Sequence, residues 1–202
     1  MATNGSSTAD NRPVNGHQNE CSLQSIIDEF LRYQLALKGY QWTPISRNDV
    51  SNESNETLNS SQRTKIMDAL KALGRQYVSL YSVQLTEMCD RLEVSPSTAF
   101  STFNSVSNEL FIEGIKWNHI ITYLVFGSHF AFNCVQNGSP DLVNEVSHWI
   151  TSYFDQHLNQ WIADNGGLVC VDHNSGHWLP KLWPLITTTL AIDYHFNHSL
   201  FQ

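Results

Sequence analysis

Residues 108–127 read NELFIEGIKWNHIITYLVFG, and this stretch decides the fold. Its first half is polar and charged, whereas its second half is almost entirely aliphatic and aromatic. From Ile115 to Val135, apolar residues occur on all sides of a predicted helix in which Lys116 is the only fixed charge. Such a helix either spans a membrane or is surrounded by other helices. Because two Asn and two His side chains in it are costly in lipid, we favour a buried helix.

The segments on both sides of this helix show the periodicity of amphipathic helices. Apolar residues recur three or four positions apart from Leu23 to Leu37, from Ile66 to Leu92 with a predicted break, and from Val143 to Phe154. No segment alternates convincingly with the period of a β-strand. The sequence therefore predicts an all-α fold, a bundle of about eight helices around a central hydrophobic helical hairpin.

One further helix is predicted by the pair Ser95 and Pro96. Serine is a preferred N-cap, and proline is tolerated in the first helical turn. The helix that follows would place five residues on one apolar side, namely Phe100, Phe103, Val106, Leu110 and Phe111.

The 202 residues suit a single domain with a tail at each end. Residues 1–19 offer almost nothing to bury, so we predict a helical domain at 20–175, interrupted by a flexible Ser- and Asn-rich loop at 43–62. Residues 176–202 form a predicted C-terminal tail with an apolar segment at 182–192. A bilayer-spanning helix needs about 20 residues, and the eleven residues of this segment are too few. The segment could lie in the membrane interface, fold back onto the domain, or be a plain tail.

Composition excludes several classes of function. A net charge of −8 argues against a nucleic-acid partner, because phosphate binding relies on clustered Lys and Arg. The four cysteines lie far apart, so neither a metal site nor a disulfide framework is predicted. No clustered acid–base pair, nucleophile motif or phosphate-binding loop is present, so we expect no catalytic site and no cofactor, and the protein is not predicted to be an enzyme.

Four short motifs resemble the homology motifs of the B-cell lymphoma 2 (Bcl-2) family of apoptosis regulators, and they occur in the family's order. The fourth motif is similar to IIDEFLRYQLALKGYQW (26–42), the third to IMDALKALGRQY (66–77), the first to NELFIEGIKWNHIITYLVFG (108–127) and the second to WIADNGG (161–167). The resemblance implies a helical bundle whose surface groove binds the amphipathic death-motif helix of pro-apoptotic relatives, which are the expected partners.

The resemblance also implies which residues line that groove. They are Tyr77, Tyr81, Leu85, Met88, Val106, Glu109, Leu110, Lys116, Trp117, Asn118, His119 and Phe126. The helical periodicity by itself favours another interpretation, in which the apolar residues of this set belong to the core and do not line a groove. The function implied is inhibition of cell death in the cytoplasm, with possible association with the mitochondrial outer membrane; the alternative is a pore-forming member that permeabilises this membrane.

Two positions depart from the family's pattern. Where the first motif normally carries Gly and Arg, this chain has Asn118 and His119. A histidine with its reference pKa of about 6.5 is mostly neutral at pH 7 and does not replace a permanent cation. Lys116, three residues earlier, either supplies the missing charge or is a solvated surface lysine. Arg75 stands where the third motif usually has an aspartate, which favours a survival-promoting member over a pore-forming one.

Overall fold

The computed structural model describes residues 22–45, 59–92 and 94–172, with side chains described up to residue 170. Most of the predicted 43–62 loop, and both predicted tails, lie outside these residues. The described residues form six α-helices: α1 (Leu23–Leu37), α2 (Ser60–Arg91), α3 (Ala99–Leu110), α4 (Trp117–Gln136), α5 (Leu142–Tyr153) and α6 (Asn159–Asp164). A π-helical turn, Phe154–Leu158, joins α5 to α6, and a 3₁₀ turn, Leu168–Asp172, follows.

The all-α prediction is confirmed, because the described residues contain helices and turns and no strand. Their six α-helices are fewer than the eight predicted for the whole chain. The break predicted in α2 is also confirmed, since Tyr81 has non-helical dihedral angles (φ −130°, ψ 15°) within this helix.

The expected start of α3 was wrong. This helix begins at Ala99 with Thr98 at the N-cap position, three residues after the predicted cap Ser95. Ser95 instead opens a turn in which the Thr98 hydroxyl accepts a hydrogen bond from the Ser95 backbone N–H (3.1 Å). The predicted apolar side is also incomplete, because Phe100 is 57% exposed whereas Phe103 is buried.

The helix α4 forms the centre of the bundle, as the sequence predicted. It packs against α1, α2, α3 and α5, and nearly all its residues are buried. Within the described ranges, no helix combines the length and the apolar character needed to cross a membrane. The contacts of α4 with these four helices cover its apolar surface.

Two glycines explain how the quoted stretch is accommodated. Gly114 lies in the turn between α3 and α4 with φ +99°, a conformation that residues with a Cβ rarely adopt. Gly127 lies inside α4, where an added Cβ would come within 2.5 Å of Ile150 Cδ1 on α5. The absence of a side chain at Gly127 thus allows α5 to pack closely against α4.

We expect Gly127→Ala to destabilise the protein by about 1–2 kcal/mol, because overpacking at Ile150 outweighs the gain of about 1 kcal/mol in helix propensity. Ile150→Val removes the methyl group that clashes. In that background Gly127→Ala should be neutral or stabilising, giving a coupling of at least about 1 kcal/mol in a double-mutant cycle measured by urea denaturation. Additive effects of the two substitutions would contradict this packing.

Candidate functional site

The arrangement of three helices creates the candidate site. Helices α2 and α3 each pack against α4, but they make few contacts with each other. The buried surface of α4 thus forms a floor, and α2 and α3 form two walls on it. We call this region between α2 and α3, above α4, the groove.

The first wall carries four of the predicted residues along one side of α2. Tyr77, Tyr81, Leu85 and Met88 recur at spacings of three or four and are all buried. The rings of Tyr77 and Tyr81 lie 4.9 Å apart, and Tyr81 is the residue at which the helix is irregular. Burial raises the pKa of Tyr77 to about 12, so its phenol is neutral, and the Thr122 hydroxyl on α4 partly offsets this rise. The wall is therefore apolar and uncharged at its base.

The second wall and the floor meet through aromatic packing. Val106 on α3 is buried, and Glu109 and Leu110 are half-buried at the end of this helix. Phe103, which sequence reasoning did not assign to the site, stacks on Phe126 of the floor with ring centroids 5.4 Å apart. Its helical spacing from Val106 was the signal available, and it did not distinguish a site residue from a core residue.

The remaining predicted residues lie at the start of α4. Lys116 occupies the N-cap position, has extended dihedral angles and is exposed. Trp117 is buried, and its ring makes an edge contact with Trp161 of α6 at 5.3 Å. Asn118 is half-buried. Three consecutive residues of the first motif therefore have three different environments.

His119 is turned inward and is only 1% exposed. Its Nδ1–H donates a hydrogen bond to the Gly114 carbonyl at 2.9 Å. Burial lowers the pKa of His119, and the nearby positive charge of Lys116 lowers it further. The hydrogen bond to the Gly114 carbonyl acts in the opposite direction and raises the pKa, but the net shift is downward. The imidazole is therefore neutral at pH 7 and is held by the turn that precedes α4.

A second histidine of α4 is also buried and neutral. Burial, assisted by the charge of Lys38, lowers the pKa of His129 from 6.5 to about 4, although the Val125 carbonyl, which accepts from Nδ1 (3.1 Å), opposes the shift. The central helix thus brings no protonated histidine to the groove at pH 7. Lys116 is the only Lys or Arg from residue 93 to residue 172.

The structure thus brings residues from α2, α3 and α4 together around one apolar floor. Most of the apolar residues predicted to line the groove are buried, and Lys116 is exposed at the start of α4. Such an arrangement suits the binding of an apolar helix face with an acidic residue near Lys116. The assignment of the twelve residues to a ligand groove stays a prediction.

The chain is similar to proteins of one family. A family model described as apoptosis regulator proteins, Bcl-2 family, matches residues 70–167. Bcl-2-like protein 1 of Mus musculus is 24% identical over 184 residues, which cover 72% of this chain and 79% of that protein. Apoptosis regulator Bcl-2 of Gallus gallus is 33% identical over 99 residues, covering 49% of this chain and 42% of that protein.

A solved structure extends this similarity to three dimensions. The crystal structure of Trichoplax adhaerens trBcl-2L2 bound to trBak BH3 matches with a TM-score of 0.64 and 30% sequence identity. The match covers 74% of this chain and 95% of that one. The residues matched by the family model, 70–167, include α3, α4 and the part of α2 that lines the groove.

The buried His129 predicts a loss of stability in acid. Between pH 6.5 and about 4 the unfolded chain binds a proton at this imidazole that the folded chain does not bind, so the free energy of unfolding falls as pH falls through this window. From about pH 7.5 to about pH 5 the loss should be about 2 kcal/mol.

Urea denaturation of the wild type and of His129→Gln at the two pH values measures this effect. The variant should lose about 2 kcal/mol less stability in acid than the wild type does. His148→Gln, at an exposed position of α5, is the matched control and should behave as the wild type does. Equal acid sensitivity of wild type and His129→Gln would show that His129 is not the group responsible.

Proposed function

The chain belongs to the Bcl-2 family of apoptosis regulators, and from this premise we propose that it binds the BH3 helix of pro-apoptotic relatives in the groove and thereby inhibits cell death. The proposed activity is non-enzymatic sequestration. We place this activity in the cytoplasm and at the mitochondrial outer membrane.

The arrangement of α2 and α3 as separate walls on α4 carries this proposal. A helix in a groove inserts apolar side chains at i, i+3 or i+4, and i+7, and each one contributes about 1.5–3 kcal/mol when fully buried. The groove offers apolar side chains from all three helices to receive them. The similar Trichoplax protein was crystallised with a Bak BH3 segment, which supports the same ligand class here.

Ligand entry requires the walls to separate, because Tyr77, Leu85 and Phe126 are buried. The irregular turn at Tyr81 divides α2 into two parts that need not move together. We propose that the part from Ser82 to Arg91 moves away from α4 when the ligand arrives. The ligand's apolar side chains then replace the contacts that this part made.

Lys116 provides the positive charge in the proposed complex. Asn118 cannot carry a charge, and His119 is neutral and bonded to the Gly114 carbonyl. Lys116 is exposed at the N-cap of α4, where the positive end of the helix dipole also favours an anion. A carboxylate of the ligand helix would therefore be attracted to this end of the groove.

The packing of α1 on α2 supports a survival-promoting member. A Cβ at Gly74 would overlap Gln34 Nε2 and lie 3.1 Å from the Phe30 ring, so the α1 side chains lie directly against this glycine. Arg75 donates a hydrogen bond to the Tyr33 hydroxyl on α1 (2.8 Å). The residue that departs from the family's third motif therefore links this motif to α1.

An ion-pair cluster joins the same two helices. The two carboxylate oxygens of Glu29 accept from Arg63 at 2.8 Å and from Lys71 at 2.9 Å. Partial burial raises the pKa of Glu29, but the hydrogen bonds and charges of Lys71 and Arg63 dominate and hold it below its usual value. Because these groups are partly exposed, the cluster chiefly sets the alignment of α1 on α2.

Releasing this segment as a ligand for another groove would be costly. Four large side chains, those of Ile66, Leu70, Leu73 and Tyr77, would leave the core. Their exposure costs about 6–12 kcal/mol, comparable with the whole stability of a domain. We therefore propose that the third motif remains in the bundle and that the protein receives BH3 helices.

The contribution of Lys116 can be measured directly. We expect Lys116→Ala to weaken the binding of a synthetic Bak BH3 helix about fivefold, equivalent to about 1 kcal/mol for a partly solvated ion pair. Isothermal titration calorimetry with the full chain gives the affinity. Lys65→Ala, at an exposed position near the start of α2, is the control and should bind normally. Unchanged binding by Lys116→Ala would show that this lysine is an ordinary surface residue.

Inhibition and pore formation predict opposite results in a liposome assay. Dye-loaded vesicles are mixed with activated Bak, with or without the purified full chain. We expect the chain alone to release no dye and to suppress release by Bak, because it sequesters the BH3 helix. Dye release by the chain alone would contradict the proposal and favour the pore-forming alternative.

A further inference from the structure

A row of aromatic rings connects α3 and α5 on the surface. Helices α3 and α5 make few backbone contacts, and side chains bridge the gap between them. Phe100 contacts Trp149 edge-on at 5.3 Å, and Phe111 stacks on Tyr153 at 5.5 Å. Tyr153 in turn lies 4.6 Å from the ring of His157. We call these five residues the aromatic seam.

The seam follows one side of each helix. Trp149, Tyr153 and His157 are separated by four residues each, so they lie above one another. Phe100 and Phe111 are three turns apart, which corresponds to about 16 Å along α3. The Tyr153 hydroxyl donates to the Ser107 carbonyl between them (3.4 Å). The seam is thus as long as two or three turns of a partner helix.

Much of this aromatic surface faces solvent. Phe100 is 57% exposed, and Ile112, which follows Phe111, is 72% exposed. Trp149, Tyr153 and Phe111 are half-buried, and His157 is exposed. A row of rings with strongly exposed apolar side chains at its two ends is a candidate interaction site.

The charge of the surrounding chain restricts what can bind there. Residues 93–172 contain eight Asp or Glu and one Lys or Arg, so they carry a formal charge of −7. Residues 22–92 contain eight Lys or Arg and eight Asp or Glu, so they are neutral overall. Almost the whole negative charge of the chain therefore belongs to the segment that forms the seam, and a cationic partner is attracted to it.

We propose that the aromatic seam is a second docking surface, which binds a cationic and apolar helical segment of a partner protein. Arg side chains of this segment would stack on the rings of Trp149 and Tyr153. Their positive charge would also be attracted by the negative charge of residues 93–172, and a guanidinium group can make both interactions at once. Leu or Phe side chains of the same segment would cover Phe100 and Ile112. The seam lies between α3 and α5, whereas the groove lies between α3 and α2, so this proposal does not depend on the function proposed above.

The acidic field disfavours the other classes of partner. Anionic lipid surfaces and nucleic acids would be repelled by a segment with a charge of −7. A second copy of this chain offers no segment of net positive charge, because residues 1–21 carry −1 and residues 22–92 and 173–202 are each neutral overall, so it gives no electrostatic attraction.

Binding of a defined cationic peptide tests the proposal. The probe is a fluorescein-labelled helical peptide with Arg on one side and Leu on the other, and its counterpart has Glu in place of every Arg. Fluorescence polarisation with the full chain should show binding of the Arg peptide that weakens severalfold from about 50 mM to about 200 mM salt. The Glu peptide should not bind.

Two matched variants locate the binding site. Phe100→Ser with Ile112→Ser should weaken binding at least about tenfold, because these two side chains have the most exposed apolar surface for the partner to cover. Leu80→Ser with Val83→Ser removes a similar exposed apolar area from α2 and should have no effect. Unfolding curves of both variants verify that the fold is retained, since all four positions are exposed.

Several results would overturn the proposal. The proposal would be contradicted if the Arg peptide did not bind, or if it bound equally to the wild type and to the Phe100/Ile112 variant. It would also be contradicted if a Bak BH3 helix displaced the peptide, because the peptide would then be bound in the groove. Binding of the chain to anionic vesicles through Phe100 and Ile112 would instead identify a lipid surface. Loss of a concentration-dependent dimer in this variant, seen by sedimentation, would identify self-association.

Discussion

The burial of α4 on every side is the constraint on which the rest of the structure depends. Its apolar residues leave no face for solvent, so α1, α2, α3 and α5 must all cover it. Aromatic rings from the surrounding helices complete this core, with Phe103 in contact with both Phe126 and Phe130. The polar groups of α4 are accommodated within the same constraint: the Ser128 hydroxyl donates to the Val125 carbonyl, and His129 remains neutral.

Covering a single central helix does not require the outer helices to cover one another. Helix α3 has only 12 residues and packs mainly on α4, so it leaves a gap toward α2 on one side and toward α5 on the other. Buried aliphatic and aromatic residues line the first gap, whereas partly exposed rings bridge the second. The two surfaces proposed for binding are both consequences of this short helix.

Charge distinguishes the two surfaces as clearly as shape does. Lys116 is the only fixed cation in the part of the chain from 93 to 172, and it lies at the N-terminus of α4, where a helix already favours anions. An acidic residue of a ligand is thus attracted to Lys116, although the surrounding residues 93–172 are negatively charged overall. The seam has no such lysine among its residues, so the same field favours a basic segment there.

The sequence by itself determined the helical class, the buried central helix and the break in α2, because each depends on local periodicity. Its four motifs were sufficient to indicate the family. They did not distinguish Lys116 from His119, which helical spacing places near the same face. The extended N-cap leaves Lys116 in solvent, whereas the turn at Gly114 holds His119 inward.

Only the tertiary structure decided which apolar residues are covered. Phe100 was predicted on the apolar side of its helix, yet α3 starts at Ala99 and leaves it against Trp149 with more than half of its surface exposed. The role of Gly127 likewise became evident only from Ile150, 23 positions later in the chain. Burial depends on which distant segments converge at one point, and local periodicity contains no information about that convergence.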